Sequence, residues 1–163
     1  MGRGEYYRPT TSAVISMAEL AGDTRQARLI CYAAIMIQLA GCILQNDQGG
    51  ILLLHRNTPE RVQWELPGGK IEDGESPEDA VRREVFEELG VTLTEPKHFG
   101  ETEFLEDGHE FHYQWFTAEI AGGFPQPLED KFDDVRYVSI AELDSLPLSA
   151  NIQKLRALLV TSS

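Results

Sequence analysis

After about residue 35 the chain is a series of short apolar runs separated by turn-forming residues, the pattern of a domain rich in β-strands. A turn of hairpin composition, residues 45–50, joins the first two runs, and a second turn, residues 106–108, joins two later ones. We expect each of these two pairs of runs to form a hairpin. The runs predict strands over Met36–Leu44, Ile51–Arg56, Val91–Leu93, His98–Phe104, Glu110–Ile120 and Val135–Ile140.

Helical periodicity interrupts the strands in the middle of the chain and returns at its end. Ser76 can accept a hydrogen bond from a first-turn amide, Pro77 suits the first helical position, and Gly90 suits the left-handed residue that ends a helix. These signals predict a helix over Pro77–Leu89, and a closing helix is predicted over Ile152–Val160. The apolar positions expected to face inward are Val81, Val85 and Leu89 in the first helix and Leu155, Leu158 and Leu159 in the second.

The order of the predicted elements places the chain in the α/β class. Two strands, a helix, two strands, a loop, a further strand and two helices favour a mixed sheet with helices on both faces. The clear pattern defines one domain over residues 36–160, preceded by an N-terminal extension, residues 1–35, of uncertain structure. That extension is expected to cover its own sheet, and packing across a second subunit of a homodimer is the alternative.

Length and charge limit the class of partner. The 163 residues, 42% of them hydrophobic, suffice for one domain with a core. A formal charge of −13 argues against a nucleic-acid polymer or an anionic membrane as partner, since both require basic surfaces. A small anionic substrate fits this charge if a divalent cation screens the acids. The acidity therefore favours a metal-dependent site.

Neither a membrane span nor a disulfide is predicted. The sequence has no apolar stretch of about 18 residues and no signal-peptide pattern at its start, so we expect a cytoplasmic protein. Cys31 and Cys42 both lie in apolar surroundings, and two reduced core thiols are favoured over a disulfide or a metal pair.

Three glutamates lie on one side of the predicted central helix. Glu84, Glu87 and Glu88 follow the i, i+3, i+4 spacing that brings helical side chains together. Arg83, four residues before Glu87, can hold that carboxylate in an ion pair. The turn Gly68–Gly69 lets a backbone carbonyl or amide approach the same point. Such hard oxygen ligands suit Mg²⁺ or Mn²⁺, which also bridge phosphates, and a solvated acidic face is the alternative.

The whole pattern is more specific than the three acids alone. Ordinary residue frequencies give it a chance occurrence on the order of 10⁻⁶ for a chain of this length. It resembles, without a mismatch, the signature box of the Nudix hydrolases. Its fixed positions are Gly69, Glu75, Arg83, Glu84, Glu87, Glu88 and Gly90.

The resemblance implies a Nudix-type α/β/α sandwich that hydrolyses a diphosphate linkage with a divalent cation, Mg²⁺ first and Mn²⁺ as an alternative. It implies that Glu84 and Glu88 are direct metal ligands and that Glu87 is a ligand directly or through water. The carbonyl of Gly68 would be a further ligand, while Arg83 orients the glutamates and Glu75 braces the loop. Attack by water fits a site in which no serine or cysteine nucleophile is evident.

Members of that family commonly use a further acid from outside the box. The loop of residues 128–134 carries four acids, and Glu129 is the favoured candidate for this role. Glu101 or Glu103 on the predicted hairpin is the alternative. A loop with four acids is also consistent with simple solvation.

The substrate is indicated by the end of the chain. Residues 146–151 resemble the end of the MutT-type nucleoside triphosphate hydrolases, in which an asparagine reads the purine edge, and Asn151 is suited to this role because an amide both donates and accepts. A helix N-cap is the alternative. Arg56 can reach a sugar or phosphate, or form an exposed strand end. Tyr113 is expected to line the base pocket and Phe116 the core, while His109 and His112 can touch phosphate or lie at the surface.

These features predict a Mg²⁺-dependent pyrophosphohydrolase of a small nucleotide, most simply a (d)NTP or an oxidised (d)NTP cleaved to the monophosphate and pyrophosphate. A hydrolase of nucleotide sugars or of dinucleoside polyphosphates is the alternative within enzymes. A nucleotide-sensing module without turnover is the alternative outside them.

Overall fold

The computed structural model describes residues 36–161. The expectations for the N-terminal extension and for Cys31 lie outside the described residues. Within this range, one 3₁₀ turn, Glu142–Ser145, and two α-helices, α1 (Pro77–Leu89) and α2 (Ala150–Thr161), accompany the strands. The strands are β1 (Ile37–Leu44), β2 (Ile51–Thr58), β3 (Arg61–Glu65), β4 (Gly68–Lys70), β5 (Thr92–Leu93), β6 (Lys97–Glu106), β7 (His109–Ala118), β8 (Ile120–Gly122) and β9 (Phe132–Val138).

The largest sheet is mixed, as predicted. Its strand order is β4-β1-β7-β6, in which β1 and β7 are parallel and the other neighbours are antiparallel. A three-stranded sheet has the order β3-β2-β9, and β5 pairs with β8. Side chains of β1 and β2 enter two hydrophobic clusters: one contains the buried face of α1, and the other contains α2. The strands therefore lie between two helices, which confirms the α/β/α sandwich.

The predicted pairing of the first two strands is wrong. The turn itself closes, because Asn46 Oδ1 accepts hydrogen bonds from the amides of Gln48 (3.1 Å) and Gly50 (2.8 Å), and Gln45 bridges Ile51. Beyond that bridge β1 and β2 separate into different sheets, and β2 pairs instead with β3 and β9. The second half of β1 and the first half of β2 are buried on both faces, and such a stretch carries no alternation that specifies its partner.

The second predicted hairpin is confirmed. β6 and β7 are antiparallel, with Glu106 opposite His109 at the turn. Asp107 (φ 51°) and Gly108 (φ 77°) both have the positive φ that a tight two-residue hairpin turn requires. β9 differs from the prediction, since it begins three residues earlier, at the buried Phe132.

Helix α1 has the predicted bounds and caps. Ser76 Oγ accepts a hydrogen bond from the amide of Asp79 at 3.2 Å, and Gly90 ends the helix at φ 70°. The predicted stripe is fully buried, and Glu88 is buried with it. In α2 the inward face contains Leu155, but Leu158 is 45% exposed, so its predicted inward position is wrong. The inward face of α2 is set by Asn151, Ile152 and Leu155, and Leu158 lies to one side of it.

Within the part of the chain that the structure describes, neither helix has the length and apolar character needed to cross a bilayer.

Candidate active site

A pocket of about 330 Å³ lies on the face of the large sheet that carries Tyr113. It is bordered by β3, β4 and the start of α2, which bring together residues far apart in the chain. The pocket is lined by five residues that the sequence predicts as functional, namely Arg56, Gly68, Glu84, Tyr113 and Asn151.

Glu84 lies against the glycine turn of β4. Its side chain is 13% exposed, and Arg83 Nη1 donates to its Oε1 at 2.7 Å. A Cβ placed on Gly69 would lie 2.5 Å from Cδ of Glu84, so the carboxylate occupies space that only a glycine leaves free. Burial raises the pKa of Glu84, against the opposing effect of Arg83. The glycine turn of β4 and helix α1 therefore pack together at the Glu84 carboxylate.

Glu88 is the most deeply buried acid of the site, with 1% of its surface exposed. The amide of Gly68 donates to its Oε2 at 2.9 Å, and Lys131 Nζ lies 3.2 Å from its Oε1. Burial raises the pKa of Glu88 to about 8 despite both partners. For Glu84 and Glu88, the alternative of a solvated acidic face is therefore wrong.

Glu87 does not join the other two acids. Its side chain is 51% exposed and contacts Arg83 Nη1 at 3.3 Å. Within residues 36–161, no three acidic, histidine or cysteine side chains stand at metal-coordinating spacing. The structure thus places two of the three carboxylates beside the glycine turn.

The donor set at the turn fits a divalent cation. The carboxylates of Glu84 and Glu88 lie against Gly69 and Gly68, and carboxylate and backbone carbonyl oxygens are the ligands that hard cations prefer. The ammonium of Lys131 at Glu88 shows that this position already favours positive charge. Glu84, Glu88 and the carbonyl of Gly68 are therefore the groups that would hold such an ion.

Arg83 links the loop before α1 to the helix. Its Nε and Nη2 donate to the two carboxylate oxygens of Glu75 at 2.9 and 2.8 Å. Nη2 also donates to the carbonyl of Lys70 at 2.9 Å, while Nη1 serves Glu84 and Glu87. The hydrogen bond from Arg83 lowers the pKa of Glu75. One guanidinium therefore fixes both the loop and the orientation of Glu84.

Lys131 is a site residue that the sequence did not suggest. Its ammonium lies between Glu88 and Glu129, 2.8 Å from Glu129 Oε2, and it lines the pocket. Partial burial opposes its charge, but the two carboxylates outweigh that effect and raise its pKa. The only signal in the sequence was one basic residue within an acidic loop. The contact brings Glu129 close to Glu88.

The alternative acids Glu101 and Glu103 lie elsewhere. They pair across β6 and β7 with Gln114 and His112, and so lie on the face of the sheet opposite that of Tyr113. Glu101 Oε2 contacts His112 Nε2 at 3.3 Å. Neither acid lines the pocket.

The amide of Asn151 lines the same pocket as Glu84 and is held in a fixed orientation. Its Oδ1 accepts from the amide of Ile152 at 2.8 Å and from the hydroxyl of Ser149 in a short contact. The side chain also hydrogen-bonds the hydroxyl of Tyr113, whose pKa is raised by burial. Gly41 makes room for this arrangement, since a Cβ there would overlap the Tyr113 hydroxyl.

Arg56 is not an exposed strand end. Its Nε and Nη2 bind both oxygens of Glu65 at 2.7 and 2.9 Å, and its guanidinium lies 5.2 Å from the centre of the Phe132 ring. Gln63 donates to the same Glu65 carboxylate at 2.7 Å. Arg56 therefore lines the pocket in a fixed orientation.

Comparison with known proteins gives a consistent assignment. A NUDIX-domain family model matches residues 38–159. An 8-oxo-dGTP diphosphatase from Escherichia coli is 43% identical over 92 residues, which are 53% of this chain and 69% of that protein. An RNA pyrophosphohydrolase from Bartonella clarridgeiae is 31% identical over 116 residues, 58% of this chain and 67% of that protein. A crystal structure of a MutT NUDIX hydrolase from Burkholderia pseudomallei aligns with a TM-score of 0.68 and 28% identity, covering 74% of this chain and 95% of that one.

Proposed function

Because this chain belongs to the NUDIX family and is a hydrolase of phosphoric anhydride bonds, we propose that it cleaves a nucleoside triphosphate, ordinary or oxidised, to the monophosphate and pyrophosphate. The observation that carries this proposal is one pocket with two kinds of wall. Glu84 and the glycine turn supply one kind of wall, and a fixed amide beside a tyrosine supplies the other. Phosphates suit the first wall and a nucleobase suits the second.

Glu84, Glu88 and the carbonyl of Gly68 would hold Mg²⁺, with Glu87 contributing through water. The ion would neutralise charge on the phosphate oxygens and lower the pKa of a bound water. Arg83 keeps Glu84 against the turn through its 2.7 Å hydrogen bond. These residues supply position and charge, the two contributions that phosphoryl transfer needs most.

Glu129 is the proposed acceptor for the proton of the attacking water. It stands in the loop that leads into β9, and its side chain is 36% exposed, so water can reach it. Lys131 Nζ lies 2.8 Å from Glu129 Oε2 and also contacts Glu88, so Glu129 is held close to Glu88. A carboxylate in that position can take a proton as the water attacks phosphorus.

Asn151 is the proposed reader of the base. Its orientation is fixed because the Ile152 amide donates to one side-chain atom, which must be the oxygen. Nδ2 would then offer an N–H to a ligand in the pocket that Asn151 lines. A donor of this kind favours a purine that offers a carbonyl acceptor. The 8-oxo-dGTP diphosphatase among the relatives supports the same substrate class.

The test is a Mg²⁺-dependent screen of nucleoside triphosphates, oxidised triphosphates, nucleotide sugars and dinucleoside polyphosphates in ¹⁸O-water. We expect a monophosphate and pyrophosphate from a purine triphosphate, and the label identifies the phosphorus that is attacked. The Glu88→Gln variant controls for contaminating phosphatases. Preferred turnover of a nucleotide sugar would contradict the proposed substrate, and binding without turnover of any diphosphate would indicate a sensing module.

A further inference from the structure

The end of the pocket far from the glutamates is apolar and aromatic. Phe104 of β6 and Phe111 of β7 stack with ring centres 5.2 Å apart and planes 21° apart, and Ile37 and Leu39 of β1 adjoin them. β6 is three positions from β4 in the sheet, a separation of about 14 Å at the usual strand spacing. This end is therefore remote from the acids and suited to an uncharged ring.

Two hairpins are joined across this end by ion pairs. Arg61, the first residue of β3, donates Nη1 to Glu106 Oε2 at 3.0 Å and Nη2 to Asp107 in a shorter contact. Arg61 and Glu106 both line the pocket, and their side chains are 35% and 30% exposed. We name Arg61, Glu106 and Asp107 the clasp. It lies at the rim, where a ligand longer than the pocket would leave it.

The clasp is held by the backbone on both sides. Thr58 Oγ1 accepts from the amide of Arg61 at 3.2 Å and so closes the β2–β3 turn. On the opposite side, Asp107 occupies a left-handed position of the tight β6–β7 turn. These contacts fix the two tips that the ion pairs connect, so the clasp is part of the pocket wall.

Charge at the clasp disfavours a further phosphate. Arg61 neutralises one of its two paired acids, so the clasp keeps one net negative charge on the pocket side of the sheet. A phosphodiester emerging at this rim would meet net negative charge at short range, which is repulsive. The pocket volume of about 330 Å³ is also near the lower limit of ligand pockets, about 300–1,000 Å³.

We propose that the clasp restricts the group held beyond the phosphates to a single nucleoside, and thereby selects mononucleotides against 5′-triphosphorylated RNA. The inference rests on the proposed function and narrows its substrate class. Repulsion between charges at short range is weak in water, so the discrimination that the clasp adds is about tenfold. Arg61, Glu106 and Asp107 act as specificity residues and take no part in the hydrolysis itself.

The test compares GTP with the triphosphorylated dinucleotide pppGpA in the wild type and in the Glu106→Gln/Asp107→Asn variant. These substitutions keep the side-chain shapes, and asparagine tolerates the left-handed position of Asp107. They remove the negative charge of the clasp and reduce its ion pairs to hydrogen bonds with neutral amides. We expect the ratio of kcat/KM for pppGpA to kcat/KM for GTP to rise about tenfold, with the melting temperature confirming the fold.

The matched control is the Asp79→Asn/Glu95→Gln variant. Arg82 pairs with these two acids much as Arg61 pairs with its own, and it is equally exposed, at 36%. The control changes the net charge by the same amount but leaves the pocket unchanged. Equal ratios in the clasp and control variants, or a wild type that already hydrolyses pppGpA as well as GTP, would overturn the proposal.

A binding measurement separates this inference from the proposed function. GTP and pppGpA are titrated into each protein without divalent cation, and affinity is measured by calorimetry. If no protein turns over GTP, the proposed function fails, but the clasp variant should still gain affinity for pppGpA relative to GTP by about tenfold. An unchanged affinity ratio would refute the clasp whatever the activity shows.

Discussion

Arg83 forms a bidentate ion pair with Glu75, in which Nε donates to Oε1 at 2.9 Å and Nη2 donates to Oε2 at 2.8 Å. The pair joins the loop before α1 to the second turn of the helix, and the remaining nitrogen of Arg83 positions Glu84. A planar guanidinium can serve both carboxylates at once because its donors point in fixed, different directions. The geometry of the glutamate site therefore depends on the shape of this side chain as well as on its charge.

Replacement of Arg83 by lysine tests this dependence. An ammonium keeps the charge but cannot reproduce the two-point bond to Glu75 while binding Glu84. We expect kcat to fall about 10- to 100-fold with the fold retained, measured by steady-state kinetics and circular dichroism. The neighbouring Arg82→Lys variant is the control and should lose less than about twofold. If Arg83→Lys loses no more kcat than Arg82→Lys, the charge at position 83 is sufficient and the shape of the guanidinium is not needed.

The Gly69→Ala variant tests the fit between the turn and Glu84. The added Cβ would lie 2.5 Å from the Glu84 carboxyl carbon, so the carboxylate must move. We expect at least a tenfold loss of kcat with a small change in melting temperature, because the displaced group is the end of a side chain. Gly100→Ala is the control, since its Cβ would meet only Trp115 at 3.7 Å. Full activity of the Gly69→Ala variant would show that Glu84 takes no part in the active site.

The three helix glutamates should differ in effect. Glu84→Gln and Glu88→Gln remove buried carboxylates, and we expect each to lower kcat by about 10³-fold or more and to abolish the rise in melting temperature on adding Mg²⁺. Glu87 is half-exposed, so Glu87→Gln should cost less than about 100-fold and keep part of that rise. Near-wild-type turnover in both of the first two variants would contradict the proposed mechanism.

The Asn151→Ala variant tests the reading of the base. We expect the preference for purine over pyrimidine triphosphates to fall about tenfold or more, because the available N–H is lost. Ser149→Ala should act in the same direction but more weakly, since Ser149 orients the Asn151 oxygen and Asn151 itself remains. The measurement is kcat/KM for a set of triphosphates in each variant. An equal loss for all bases would make Asn151 a structural residue alone.

The buried thiol of Cys42 should make stability depend on alkaline pH. Burial raises its pKa from 9.0 to about 12, so between these values the folded chain holds a proton that the unfolded chain releases. The free energy of unfolding should therefore fall as pH rises through this window. Urea unfolding of Cys31→Ser and of Cys31→Ser/Cys42→Ala, compared between pH 8 and 10, isolates the effect. Parallel curves for the two proteins would contradict it.

Local signals in the sequence were sufficient for α1 and for the β6–β7 hairpin. The helix is bounded by Ser76 and Gly90, whose hydrogen bonds reach three or four residues along the chain. The hairpin turns at Asp107 and Gly108, which supply the required backbone angles themselves. The box that contains α1 also sufficed for the family, because its residues act within one loop and helix.

Strand pairing and the roles of individual acids were decided by the tertiary structure. β1 is apolar on both faces, so nothing along it specifies that β7 is its parallel neighbour. The helical spacing put Glu87 and Glu88 on the same side of the helix, yet of these two only Glu88 is buried. Its carboxylate accepts a hydrogen bond from the amide of Gly68, 20 residues away.

Lys131 and Arg61 show the same limit. Each is an ordinary basic residue in the sequence, and each gains its place in the pocket from partners 43 to 46 residues away. The sequence by itself determined the family, the helix and the chemistry of the glutamate box, because those depend on contacts within a few residues. Which side chains share the pocket with that box was decided only by the fold, because packing and charge between distant segments cannot be expressed in local spacing.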